Sequence, residues 1–407
     1  MVEIRPFRAL RPTPENAAQV ASVPYDVIDT EEARELAAGN PDSFLHVIRP
    51  EIDLPADVDV HDDRVYAKAR ENFDAFRERG TLVREETPCV YLYRQIMGDH
   101  AQTGIVATYS VEDYDQDRIL KHEKTRPDKE ADRTRHVVTL GAQAGPVFLG
   151  FRSDARIQEL MHEACEADPL FDFTAPDGIQ HTVWRVEGAS QFVEAFGAVK
   201  ALYVADGHHR SASASNVRRQ RREAGTLTAD DPSNHFLAVA FPMDQLKILP
   251  YNRLITDLGG RSPEAFLREL RGVLPCEKVD SGECGRGEAR MYLSGQWYRI
   301  PLEPQADDAV SQLTVQVLAE RILAPMLGIE NQRTDPRISF VGGIRGTKAL
   351  SDAVDADKAK LAFSLPAVTP DELFAVADAN RTMPPKSTWF EPKLRSGLLT
   401  YEIEVPK

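Results

Sequence analysis

The chain has 407 residues, 42% of them hydrophobic and 28% charged, with 49 Lys+Arg against 64 Asp+Glu for a formal net charge of −15. These proportions suit a soluble globular protein of two or three domains, or one large domain with elaborations, and exclude a disordered chain, a collagen-like fibre and a coiled coil. The acidity argues against nucleic acid as a partner, and no apolar run reaches the ~18–20 residues of a membrane span.

Residues 1–6, MVEIRP, carry no apolar signal core, so no secretory leader is expected. Four cysteines without a CxxC pair make neither a disulfide scaffold nor a cysteine zinc site, and a cytoplasmic location is expected.

In chain order, 31–38 reads as a short helix capped by Thr30, and the acidic stretch 50–63 as a loop. Val65, Ala69, Phe73 and Phe76 recur at helical spacing over 64–79. Residues 89–95 and 103–112 are β-rich and should pair across Gly98-Asp99. Strands are expected at 145–151, 181–187 and 201–206, with helices at 155–167 and 208–224. Further strands follow at 234–241 and 246–251. Beyond about Leu254 come a helix at 263–273, a hairpin around Gly295 and a helix at 312–324. Strands at 338–343 and 360–365 precede a helix at 369–379, where Thr369 is the cap and Pro370 opens the first turn. A strand at 397–405 closes the chain. Irregular alternation of this kind predicts an α+β fold. The domains are expected as 1–88, an N-terminal region; 89–253, a core; and 254–407, a C-terminal α/β region.

Three segments carry groups capable of chemistry. In Ala205-Asp206-Gly207-His208-His209-Arg210 a buried strand ends in an acid, a glycine turns the backbone, and imidazoles and a guanidinium open a helix. Helix N–H groups with Arg and His donors make a phosphate cradle. Asp206 would hold Mg²⁺ or orient a histidine there; the alternative is an N-cap with two surface histidines. In Leu120-Lys121-His122-Glu123-Lys124-Thr125, Glu123 is a candidate general base, since neighbouring charges and burial tune its pKa. A solvated charged loop is the alternative. Arg126, Lys129, Arg133 and Arg135 follow as a basic island suited to an anionic ligand. In Met383-Pro384-Pro385-Lys386-Ser387-Thr388-Trp389-Phe390-Glu391-Pro392-Lys393, two prolines stiffen a loop whose Lys386 and two hydroxyls suit a carboxylate or phosphate. A turn before the last strand, with Trp389 and Phe390 in the core, is the alternative. Gly342-Gly343 lacks the rest of a phosphate-loop pattern.

Together, RPFRALRPTPENAAQVASVPYDVID, YVADGHHR and MPPKSTWFEPKL resemble a large prokaryotic family of unknown function in the ParB/sulfiredoxin-like superfamily. The resemblance implies a ParB/sulfiredoxin-like mixed core with N- and C-terminal elaborations. It also implies a parallel with the free L-serine kinases of that superfamily, which carry a His-Glu motif, DGHHR and a late Ser-Pro-Lys-Thr-Thr segment in this order. Their pattern would make Glu123 the base, with Asp206 and His209 also catalytic. Gly207, His208, His209 and Arg210 would bind nucleotide phosphate, with Asp206 on Mg²⁺. His122, Lys386, Ser387 and Thr388 would hold the substrate. The implied reaction is phosphoryl transfer from ATP or ADP to the hydroxyl of L-serine, with ATP favoured. Here the late motif reads Pro-Lys-Ser-Thr-Trp rather than Pro-Lys-Thr-Thr-Arg-His. A ParB-like nucleotide-binding regulatory module without an amino-acid substrate is the other reading. A sulfiredoxin-like reductase would need a cysteine where His208 stands.

Overall fold

The computed structural model describes residues 1–186, 188–304 and 306–404. The chain forms two compact units. The first comprises Met1–Lys121, Thr125–Leu246 and the segment from Pro392 onward; the second comprises His122–Lys124 and Lys247–Glu391.

The first unit is built on a mixed sheet, nine-stranded among the described residues. Its centre is the hairpin Val90–Met97 and His100–Ser110, closed at Met97↔His100 by the expected Gly98-Asp99 turn. His235–Pro242 pairs antiparallel with His100–Ser110 and parallel with Val147–Phe151. Leu202–Asp206 lies antiparallel to Val147–Phe151. These central strands are buried along nearly their whole length, as continuous apolar runs require when a sheet is covered on both faces. The helix Asp63–Glu78 buries Val65, Ala69, Phe73 and Phe76, the positions its spacing marked.

The second unit has a six-stranded antiparallel sheet among the described residues. Its order is Glu277–Val279, Gln296–Pro301, Glu288–Leu293, Leu361–Ser364, Tyr251–Ile255, Ile338–Gly342. Lys247–Leu249 pairs separately with Trp389–Glu391, so the strand expected at 246–251 is broken at Pro250. Thr369 caps Pro370–Asp378 with a full capping box through Glu372. The helix expected at 312–324 spans Thr314–Leu327 with a π-turn at Ala319–Leu323, just ahead of Pro325, whose missing N–H interrupts the ladder.

The mixed α+β class holds, and several local expectations change. Asp29, not Thr30, caps the first long helix, because Asp29 and Glu32 form the capping box. Pro50–Asp53 is a 3₁₀ turn within the expected loop. The closing strand shrinks to Tyr401–Glu402, and Val405 lies outside the described residues, as does Glu187. Three helices lie outside the sequence expectations: Pro127–Leu140, Ala189–Phe196 and Lys348–Asp355. The first buries only Thr134, His136 and Leu140. No helix among the described residues is long and apolar enough to cross a membrane.

Candidate functional site

In the first unit, Leu202–Asp206 runs into Gly207 and the helix His208–Glu223. The register of the strand shifts between Val204 and Asp206, a bulge that re-aims the last side chain. Gly207 sits at φ +91, and a Cβ there would lie 3.0–3.2 Å from the Arg210 guanidinium, so only glycine fits this approach. No side chain caps the helix. Arg210 donates to Asp206 Oδ2 at 2.7 Å and to the Pro146 carbonyl. Lys393 donates to Asp206 Oδ1 at 3.2 Å. Burial would raise the Asp206 pKa, but Lys393 and Arg210 outweigh it and hold the carboxyl well below its ordinary range. Burial pulls the Arg210 pKa down, while Asp26 and Asp206 reverse the direction and keep it fully charged. His208 is buried, and His209 Nε2 accepts the Arg126 N–H at 3.1 Å. That bond puts the proton of a neutral His209 on Nδ1.

In the second unit the His-Glu motif and the late loop come together. His122 is buried and its Nε2 lies 3.2 Å from Thr388 Oγ1. The Met383 N–H donates to the His122 carbonyl at 2.8 Å. Glu123 is half-buried. Arg253 is fully buried and donates to the Lys386 carbonyl at 2.9 Å, to the Pro385 carbonyl at 3.0 Å and to the Tyr251 carbonyl. Burial lowers its pKa to about 9, against the opposing charges of Tyr251 and Glu123. Lys386 adopts φ +56, which turns its carbonyl onto Arg253. Its exposed ammonium lies 5.5 Å from the Tyr251 ring centroid.

Each expected residue can therefore be placed. Asp206, Gly207, His208, His209 and Arg210 belong to the first unit; His122, Glu123, Lys386, Ser387 and Thr388 belong to the second. Ser387 is buried and donates to the Pro384 carbonyl at 2.6 Å, so its hydroxyl closes the loop. The arginines of the basic island are paired: Arg126 with Asp128, Arg133 with Asp132, Arg135 with Asp63. A metal held by Asp206 does not fit these residues. Both carboxylate oxygens are committed to cations, and the described residues contain no cluster of three or more His, Cys, Asp or Glu side chains placed to hold a metal. Gly342 packs beneath Trp389, where a Cβ would meet the ring at 2.7 Å, so this glycine serves close packing.

Two residues were missed in the sequence. Arg253 stands in an ordinary strand, and Lys393 lies in the late motif but has no role in the sequence reading; only their distant partners mark them.

The family described as protein of unknown function (DUF1015) matches residues 4–319, and the chain belongs to that family. No curated protein matches it. Among solved structures it is similar to SbnI with a C-terminal truncation from Staphylococcus aureus, at 13% identity and TM-score 0.40, covering 73% of this chain and 87% of that one. It is also similar to a free serine kinase in complex with AMP, at 13% identity and TM-score 0.35, covering 73% and 91%. A conserved hypothetical protein from Pyrococcus furiosus matches at 13% identity and TM-score 0.36, covering 74% and 95%.

Proposed function

We propose that this chain is a small-molecule kinase that transfers a phosphoryl group from an adenine nucleotide, ATP or ADP, to the hydroxyl of free L-serine. The observation that carries the reading is the 3.2 Å approach of His122 to Thr388, which sets Glu123 and the Lys386 loop in one place. This contact supports an acceptor site built from the two segments. The second support is the pair of cations on Asp206 at an uncapped helix start, suited to nucleotide phosphate.

In this reading Arg210, His208 and the first helix N–H groups hold the nucleotide phosphates. Asp206 keeps Arg210 in position rather than binding metal. Lys386 and Thr388 hold the amino acid. The serine oxygen forms the new bond to phosphorus, the bridging oxygen–phosphorus bond breaks, and the hydroxyl proton passes to Glu123. ADP leaves from ATP, or AMP from ADP. Phosphoryl transfer asks mainly for positioning and charge neutralisation. The four cysteines are free, which suits the reducing cytoplasm.

Phosphorus NMR on purified protein with ATP or ADP and a panel of hydroxylated amino acids tests this. A new phosphomonoester signal with L-serine is expected. Nucleotide binding without any phosphorylated acceptor would replace the kinase reading with that of a nucleotide-binding regulatory module.

A further inference from the structure

We propose that Lys393 is a second phosphate-binding cation, acting beside Arg210 on the phosphate of a nucleotide; this rests on the nucleotide reading above. Lys393 follows Pro392, where the chain re-enters the first unit. It is only 8% exposed. Its carbonyl accepts from Gln95 Nε2 at 2.8 Å. Gln102 Nε2 donates to Gln95 Oε1 at 3.0 Å and to the Pro392 carbonyl at 3.4 Å. Gln95 and Gln102 face each other across the central hairpin and are fully buried. Two amides in a sheet core are costly unless their polar atoms are used. Here Gln95 uses both its polar atoms and Gln102 its Nε2 to fix the backbone of Pro392 and Lys393, while Gln102 Oε1 is buried without a partner.

The side chain then reaches the Asp206 oxygen that Arg210 does not take. Lys393 takes Oδ1 at 3.2 Å and Arg210 takes Oδ2 at 2.7 Å. A carboxylate holding two cations spaces them by its own two oxygens, close to the spacing of two oxygens on a phosphate. Asp206 thus keeps both cations where a phosphate needs them, at little cost of reorganisation on binding. The Asp206 side chain is 27% exposed while the two cations are about 10% exposed, so solvent reaches the triad at the carboxylate. Asp26, the other carboxylate acting on Arg210, is solvent-exposed.

Calorimetric titration of ADP and of adenosine into wild type, Lys393→Met and Lys393→Arg tests the assignment. Lys393→Met should lose about tenfold or more in ADP affinity and none in adenosine affinity, the range of a lost charged hydrogen bond. Lys393→Arg should stay within about threefold of wild type for ADP. If Lys393→Met does not fold, Gln95→Met supplies the same arm, since it frees the Lys393 backbone and should also weaken ADP but not adenosine. Unchanged ADP affinity in the folded variant would overturn the role of Lys393 while leaving the nucleotide reading in place. Wild type that binds neither ligand would overturn both.

Discussion

His122 Nε2 lies 3.2 Å from Thr388 Oγ1, although 266 residues separate them in the chain. This pair, with the Met383 N–H on the His122 carbonyl, holds the His-Glu segment in register with the late loop. Thr388→Val keeps the side-chain shape and removes the hydroxyl. A net hydrogen bond is worth ~1 kcal/mol, so the KM for serine should rise about fivefold. The dissociation constant for nucleotide should not move. Steady-state kinetics beside calorimetry separates the two.

Gly207→Ala places a Cβ against the Arg210 guanidinium in a left-handed backbone. The conformation alone costs ~1–2 kcal/mol for a non-glycine residue. Arg210 must shift from Asp206 to make room. The variant should melt a few degrees lower and bind ADP several-fold more weakly. Wild-type ADP affinity in Gly207→Ala would show that the Arg210 position does not matter for binding.

Arg253 satisfies three backbone carbonyls from full burial. Arg253→Met retains much of the volume and leaves those acceptors without their donor. Charged hydrogen bonds contribute ~1.5–3 kcal/mol each, so a loss of about 3 kcal/mol or more is expected. Chemical denaturation measures it. Amide exchange at Lys386–Thr388 should accelerate in the same variant, because the left-handed Lys386 loses the group that fixes its carbonyl.

His136 and His181 are buried, and burial lowers their pKa values to about 4 and about 3. Both ordinary values are 6.5, so the unfolded chain binds protons first as pH falls. Stability is therefore full above pH ~6.5 and declines from there towards the folded-state pKa values, by ~1.4 kcal/mol per pH unit for each histidine. At pH 5 the loss is about 2 kcal/mol per residue. His181 also lies 2.8 Å from the Tyr93 hydroxyl and accepts from Arg395 at 3.2 Å through Nε2, and the second contact needs the neutral ring. Urea midpoints at pH 7 and pH 5 check the sign. Equal midpoints would mean that these rings titrate in the fold as they do in the unfolded chain.

The hairpin about Gly98-Asp99, the helix Asp63–Glu78 and the capped helix after Thr369 were legible because each rests on local periodicity or cap chemistry. The Asp206–Arg210 segment was legible as a strand, a turn and a helix start. The helix Pro127–Leu140 was not, since its buried positions are a threonine, a histidine and a leucine rather than an apolar stripe. Its arginines looked like an anion-gathering island only because their acidic partners were not yet known. Lys393 and Arg253 escaped for the same reason: their roles are set by carbonyls and a carboxylate far away in the chain. The sequence suggests a metal ligand at Asp206, whereas the two cations that saturate it lie four and 187 residues further along the chain.

The central claim is that Glu123 takes the proton of a serine hydroxyl as phosphate is transferred. A positioned base contributes ~10²–10⁴-fold to such a step. The direct measurement is the rate of O-phosphoserine formation by wild type and by Glu123→Gln, each saturated with serine and nucleotide, with nucleotide affinity measured alongside. Wild type should form O-phosphoserine, and Glu123→Gln should form it slower by about two orders of magnitude or more, with nucleotide affinity and melting temperature unchanged. O-phosphoserine formation at the wild-type rate by Glu123→Gln, or none by wild type, would contradict it.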